Sequence, residues 1–133
     1  MWSLGGGPIS WSAKKQNCIA LSTTEAEYVA LTCAIQEGIW LCQSLHQFHV
    51  PCSSPLVIST DNNGTKSLSV NDSNHGKAKH IDIQYHFIRS HIESKFFTVN
   101  HTPGTINTTD LFTKPLPRVV FQSHIARLGL SAH

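Results

Sequence analysis

"LSTTEAEYVAL" (residues 21–31) sets two carboxylates, Glu25 and Glu27, at the head of a stretch that is otherwise mostly apolar. The chain has only eight Asp and Glu residues, so two of them in one turn is a local concentration. Ser22 and Thr24 each stand three residues before a glutamate, which gives two overlapping capping-box registers. The stretch therefore reads as a helix start, with the helix expected over 23–48 and Pro51 helping to end it. Projection at about 100° per residue separates the two acids. Glu27 falls in line with Leu31, Ala34, Gly38, Leu41 and Leu45, the most apolar stripe. Glu25 falls nearly opposite, with Thr32, Gln36, Gln43 and Gln47. Glu25 is thus expected to face water, cap the helix and complement its dipole. Glu27 heads the face that must pack on a sheet, where an unpaired carboxylate is costly. Capping is one account of Glu27, and a neighbouring cation or metal is the other.

The flanks of this helix supply strands. Residues 1–21 read as β-structure: "MWSL" is a short apolar piece, "GGG" at 5–7 a turn free to adopt positive φ, and "PISWS" alternates with a period of two. "CIALS" is expected to continue extended up to the helix. Downstream, "PLVISTD" (55–61) reads as a short strand, "NNGTKSLSV" as a turn into a brief helix, and 71–78 as loop. Ile81, Tyr85, Ile88 and Ile92 recur at helical spacing from Lys79 to about Ser94. "FFTVN" (96–100) is another strand and "HTPGTINTT" a loop. "DLFTKPL" opens a last helix that Pro115 and Pro117 cut short before "FQSHIARLGL". The alternation of strands and helices predicts an α/β fold with a mixed sheet.

Composition narrows the class. With 133 residues, 40% hydrophobic and 14% charged, the chain is long enough to bury a core and is expected to form one domain. A net charge of +2 neither demands nor repels nucleic acid. The four cysteines, Cys18, Cys33, Cys42 and Cys52, form no CxxC pair and are read as reduced, mostly buried residues of an intracellular protein. No apolar run reaches membrane-span length, and no signal-peptide pattern opens the chain, so an intracellular rather than secreted protein is expected.

Two further acids stand where chemistry is common. Asp61 closes the strand "LVIST" at its C-terminal end, where open α/β sheets present ligand sites. Asp110 begins the last helix after a Gly/Thr/Asn loop, so N-cap is its ordinary role. With Glu27 these carboxylates make a set of oxygen ligands suited to Mg²⁺ or Mn²⁺. Glu37, Asp72, Asp82 and Glu93 read as solvated. In "KHIDIQYH", His80 and His86 are six apart and only Asp82 and His86 share a helical face, a poor ligand set. No GxSxG elbow or Cys–His pairing supports nucleophilic catalysis.

The segments "GGGPISWSAKKQNCIALSTTEAEYVAL", "KHIDIQYHFIR" and "TDLFTKPLP" resemble the ribonuclease H region at the C-terminal end of copia-type retrotransposon Pol polyproteins, over about Leu4 to Leu130. The resemblance implies a ribonuclease H-like fold, a five-stranded mixed sheet flanked by helices. It implies hydrolysis of the RNA strand of an RNA–DNA hybrid during reverse transcription, with Mg²⁺ or Mn²⁺ in a two-ion site. Carried over by motif, the metal-holding catalytic residues are Glu27 in "AEYVAL", Asp61 in "STDN" and Asp110 in "TTDLFTK". Lys14, Lys15, Lys66, Lys77 and Lys79 become candidate phosphate contacts. His101 becomes a candidate proton shuttle. The reverse transcriptase and integrase regions of the parent polyprotein become its covalent neighbours, in a cytoplasmic particle or the nucleus.

The family's first catalytic aspartate, on the first and central strand, has no counterpart, because no acid precedes Glu25. The expectation is a domain truncated at its N-terminus, lacking most of that strand, marginal in stability and largely inactive. The alternative reading is a non-catalytic retroelement remnant that binds nucleic acid or has no selected function.

Overall fold

A computed structural model of the chain describes residues 1–16, 22–61 and 79–130, with the backbone alone at 24 and 79–81. The expectations for "CIALS", for the brief helix after Asp61 and for the 71–78 loop fall wholly or mainly outside these residues. The chain divides into two compact units, Met1–Asn17 with Pro103–His133, and Cys18–Thr102.

In the first unit, β1 (Trp2–Leu4) and β2 (Gly7–Ser10) form an antiparallel hairpin with Leu4 opposite Gly7. Gly5 and Gly6 make the two-residue connection at φ 61° and 86°. Positive φ at both central residues matches the right-handed twist of the strands, and only glycine adopts it without cost. Trp11, just beyond β2, stacks on Phe112 with ring centroids 5.9 Å apart.

Past Pro103 the backbone makes two 3-10 turns, Gly104–Ile106 and Thr108–Phe112, and then α3, Arg118–Arg127. This corrects the expected helix start at Asp110. The cap is Asn107, whose Oδ1 accepts from the Thr109 N–H at 3.2 Å and from the Thr109 hydroxyl at 2.6 Å, and Asp110 lies inside the 3-10 turn. The proline pair prevents continuation, and α3 begins only after Pro117, which occupies its N-cap position. The Arg127 guanidinium donates to the Ile106 carbonyl at 3.3 Å. Gly129 closes the unit at φ 67°, where an added Cβ would meet the Gly6 carbonyl oxygen at 2.7 Å, so no side chain fits there.

The second unit is built on α1, Thr23–Gln47. Ser22 is extended (φ −152°, ψ 161°), and its hydroxyl oxygen accepts the Glu25 N–H at 3.1 Å, so the first of the two capping registers is the one used. The buried face of α1 runs through Glu25, Tyr28, Leu31, Thr32, Ile35 and Cys42. Glu25, expected to face water, is only 5% exposed. The helical projection points toward Leu41 and Leu45, whereas the packed stripe centres on Tyr28, Thr32 and Ile35. Thr32 belongs to it because its hydroxyl donates to the Tyr28 carbonyl at 2.9 Å, leaving no orphan donor.

α1 ends before Pro51, as expected. His49 takes φ 58°, and the Val50 N–H bonds back to the Leu45 carbonyl at 2.9 Å, a left-handed helix stop. This reversal brings the Cα atoms of Cys42 and Cys52 to 5.7 Å, and the two are joined by a disulfide. The expectation of reduced, buried cysteines is therefore corrected for this pair, and also for Cys33, which is free but exposed. Cys18 lies outside the described residues.

β3 (Leu56–Thr60) and β4 (Phe97–His101) pair in parallel, from Leu56 opposite Phe97 to Thr60 opposite His101. Parallel strands need a long crossover, and here it includes α2, Lys79–Glu93. Ile88 of α2 and Ile35 of α1 are fully buried, and Phe97 of β4 is 1% exposed. Each such side chain contributes roughly 1.5–3 kcal/mol through burial. Tyr28 and Tyr85 meet edge to face at 6.2 Å between α1 and α2. The architecture is thus mixed α/β, with one antiparallel and one parallel two-stranded sheet among the described residues and no closed barrel.

Candidate metal centre

Asp61 directly follows Thr60, the last residue of β3, at the carboxyl end of a parallel strand pair. Its neighbour across the ladder is the end of β4: Thr60 is in register with His101, and the Thr102 N–H donates to the Thr60 carbonyl at 2.7 Å. Parallel pairing therefore delivers Asp61 and His101, both exposed, to the same end of the sheet.

Glu27, one turn into α1, is half-buried. Burial first, and then the negative charge of Asp61, hold its carboxyl above the usual carboxylate range. The second cause means that Glu27 and Asp61 lie within electrostatic reach of each other. Neither makes an ion pair among the described residues. Oxygen donors of one sign, one at a strand end and one on the adjacent helix, are a donor set that a hard divalent cation satisfies. Within either unit, no group of three or more His, Cys, Asp or Glu gathers around one point among the described residues.

Asp110 belongs to the first unit and has a protein partner. Its carboxylate oxygens lie 2.9 and 3.0 Å from Lys114 Nζ, an ion pair at i, i+4 spacing, with the aspartate side chain 16% exposed. That pairing was missed, although "DLFTK" holds its signal: an acid four residues before a lysine. The burial of Glu25 was missed as well, and it places a second carboxylate two residues before Glu27.

Lys14 and Lys15 are exposed in the irregular segment after β2. Lys66 and Lys77 lie outside the described residues, and Lys79 opens α2 with its backbone alone described. Asp82 and His86 are exposed on α2 and join no ligand cluster. No helix among the described residues is long and apolar enough to cross a membrane.

Comparison with known proteins gives the context of this pair. The chain is 40% identical over 127 residues to the retrovirus-related Pol polyprotein from transposon RE2 of Arabidopsis thaliana, covering 96% of the chain and 9% of that protein. The corresponding polyprotein from transposon RE1 of the same plant is 39% identical over 128 residues, again 96% of the chain and 9% of the relative. That from transposon TNT 1-94 of Nicotiana tabacum is 38% identical over 122 residues, 92% and 9% respectively. The chain thus spans less than a tenth of the length of these relatives. No family model matches the sequence, and no solved structure matches it. Over nearly its whole length, the chain is homologous to one short stretch of the retrovirus-related Pol polyproteins of plant transposons.

Proposed function

We propose that this chain is a ribonuclease H-type segment of a retroelement Pol polyprotein, acting on the RNA strand of RNA–DNA hybrids formed in reverse transcription. What supports this reading is a raised Glu27 carboxyl that feels the charge of Asp61, itself at the carboxyl end of β3, in a chain homologous to Pol polyproteins. Glu27 is held by a capped helix and Asp61 by a strand end, so both carboxylates sit on rigid elements.

Bound Mg²⁺ or Mn²⁺ would supply a hydroxide nucleophile and charge stabilisation at the leaving 3′ oxygen. The chain's own part is to fix that charge. Glu27, raised by burial and by its neighbour, gives up its proton more readily once a cation replaces the repulsion. Asp61, exposed, is open to solvent and to a nucleic-acid backbone. Asp110 is assigned to the same ligand role by the motif "TTDLFTK", and releasing Lys114 would be the cost of serving it. His101 is the proposed proton shuttle beside Asp61. Lys14 and Lys15, with Lys66, Lys77 and Lys79, are the proposed phosphate contacts, each adding salt-dependent affinity. Discrimination for RNA would rest on 2′-hydroxyl contacts in the minor groove. The reverse transcriptase and integrase regions of the parent polyprotein are the proposed neighbours.

A second reading, a nucleic-acid-binding remnant without turnover, is favoured by one observation: within either unit, no group of three or more His, Cys, Asp or Glu gathers around one point among the described residues. Incubating the chain with a strand-labelled hybrid in Mg²⁺ or Mn²⁺ separates the two. RNA-strand cleavage that Asp61→Asn abolishes supports the enzyme; divalent-dependent binding without cleavage supports the remnant. Cleavage indifferent to Asp61→Asn, or no divalent-dependent interaction with the hybrid at all, contradicts both.

A further inference from the structure

The Cys42–Cys52 bond lies far along α1 from Glu27 and plays no part in the carboxylate chemistry. It joins the last turns of α1 to the segment leading into β3, across the reversal at Phe48–Pro51, and closes a loop of ten residues. Its two residues differ in access: Cys42 is buried on the helix, 9% exposed, while Cys52 is only half-buried on the connecting segment. Cys33, the other described cysteine, is nine residues before Cys42 on the same helix and takes no part.

We propose that Cys42 and Cys52 form a reversible redox lock on the second unit, closed by a small-molecule disulfide and opened by a small-molecule thiol. In closing, the Cys52 thiolate attacks one sulfur of the small disulfide, releasing one thiol and leaving a mixed disulfide on Cys52. The Cys42 thiolate then attacks the Cys52 sulfur and expels the second thiol. Two protein thiols lose two electrons and two protons, and the small disulfide gains both. Opening is the same pair of steps reversed, and begins at Cys52, the more exposed residue of the two.

The fold is what makes the lock close. With the left-handed stop at His49 and the Val50–Leu45 backbone bond in place, the Cα atoms of the bonded pair stand 5.7 Å apart, within the ordinary disulfide range. By linkage, whatever factor the native fold contributes to closing the bond, the bond returns to the native fold. For a ten-residue loop, chain entropy sets that factor on the order of 100-fold in the folding equilibrium. The device governs how firmly α1 and the parallel pair are held together, and it stands whether or not the chain cleaves RNA.

The test uses the full chain, equilibrated with glutathione disulfide or with excess dithiothreitol, alkylated and mapped by mass spectrometry, alongside thermal melting of each form. A Cys42–Cys52 crosslinked peptide in the oxidised sample, absent from the reduced one, is expected. Reduction should lower Tm by roughly 10 °C. Cys52→Ser should melt like the reduced wild type and ignore dithiothreitol, while Cys33→Ser should keep the full response. Complete alkylation of Cys42 and Cys52 in the native oxidised sample would overturn the proposal. So would a Tm unchanged by reduction, or a response lost in Cys33→Ser instead of Cys52→Ser.

Discussion

Neutralising Glu27 should stabilise the protein without metal and deny it stabilisation by metal. Glu27 is half-buried and its carboxyl is raised, first by burial and then by Asp61. A group whose folded pKa lies above its unfolded one penalises the native state once ionised. The penalty is absent below the unfolded pKa of about 4.3, grows as pH rises, and is complete above the folded value. For a partly solvated carboxylate this amounts to about 0.5–1 kcal/mol at neutral pH. Glu27→Gln, which keeps the shape, should therefore raise stability by that amount at pH 7.5 in EDTA and by nothing near pH 4. Asp61→Asn removes only the smaller cause and should gain less. Divalent cation inverts the order. At ten times its dissociation constant, a ligand specific to the native state adds about 1.4 kcal/mol, which wild type should gain and Glu27→Gln should not. Urea titrations at both pH values, with and without Mg²⁺, supply the four numbers. Glu27→Gln less stable than wild type in EDTA at pH 7.5, with the deficit persisting at pH 4, would refute the reasoning, because Glu27 would then be held by a favourable partner rather than repelled.

Other substitutions probe the frame around the pair. Ser22→Ala removes the Oγ acceptor of the Glu25 N–H and should cost about 1 kcal/mol in urea unfolding, with Ser22→Asp restoring most of it. Ile35→Ala empties a fully buried position and should cost about 2–5 kcal/mol, against less than 1 kcal/mol for Gln36→Ala on the exposed side of α1. Asp110→Asn breaks a surface pair with Lys114 and should change stability by less than about 0.5 kcal/mol, a small loss that shrinks further in 0.5 M salt.

The sequence was most readable where one local rule decided the outcome. Ser22 followed by Glu25 marks the start of α1 within a residue, and Pro51 marks where it must already have stopped. Tyr85, Ile88 and Ile92 locate the packed side of α2. The strand "LVIST" places Asp61 at a carboxyl end, and the parallel partner brings His101 to the same end. Readability failed where a polar group buried itself by a local bond. Thr32 satisfies its hydroxyl within α1, which lets the buried stripe rotate toward Glu25 and away from Leu41 and Leu45. It failed again where backbone reversal, not spacing, decided a contact: nothing in the ten-residue interval from Cys42 to Cys52 announces the left-handed His49 that brings them together. Asp110 opens no α-helix because Asn107 caps a 3-10 turn around it and the prolines delay the true helix to Arg118.

In the proposed site, Glu27 and Asp61 share a divalent cation. Mn²⁺ titration followed by electron paramagnetic resonance of the free ion tests it without requiring turnover. Wild type should take up Mn²⁺ saturably in competition with Mg²⁺, and both Glu27→Gln and Asp61→Asn should lose that uptake while remaining folded. Uptake equal in all three proteins, or none in wild type, would contradict it.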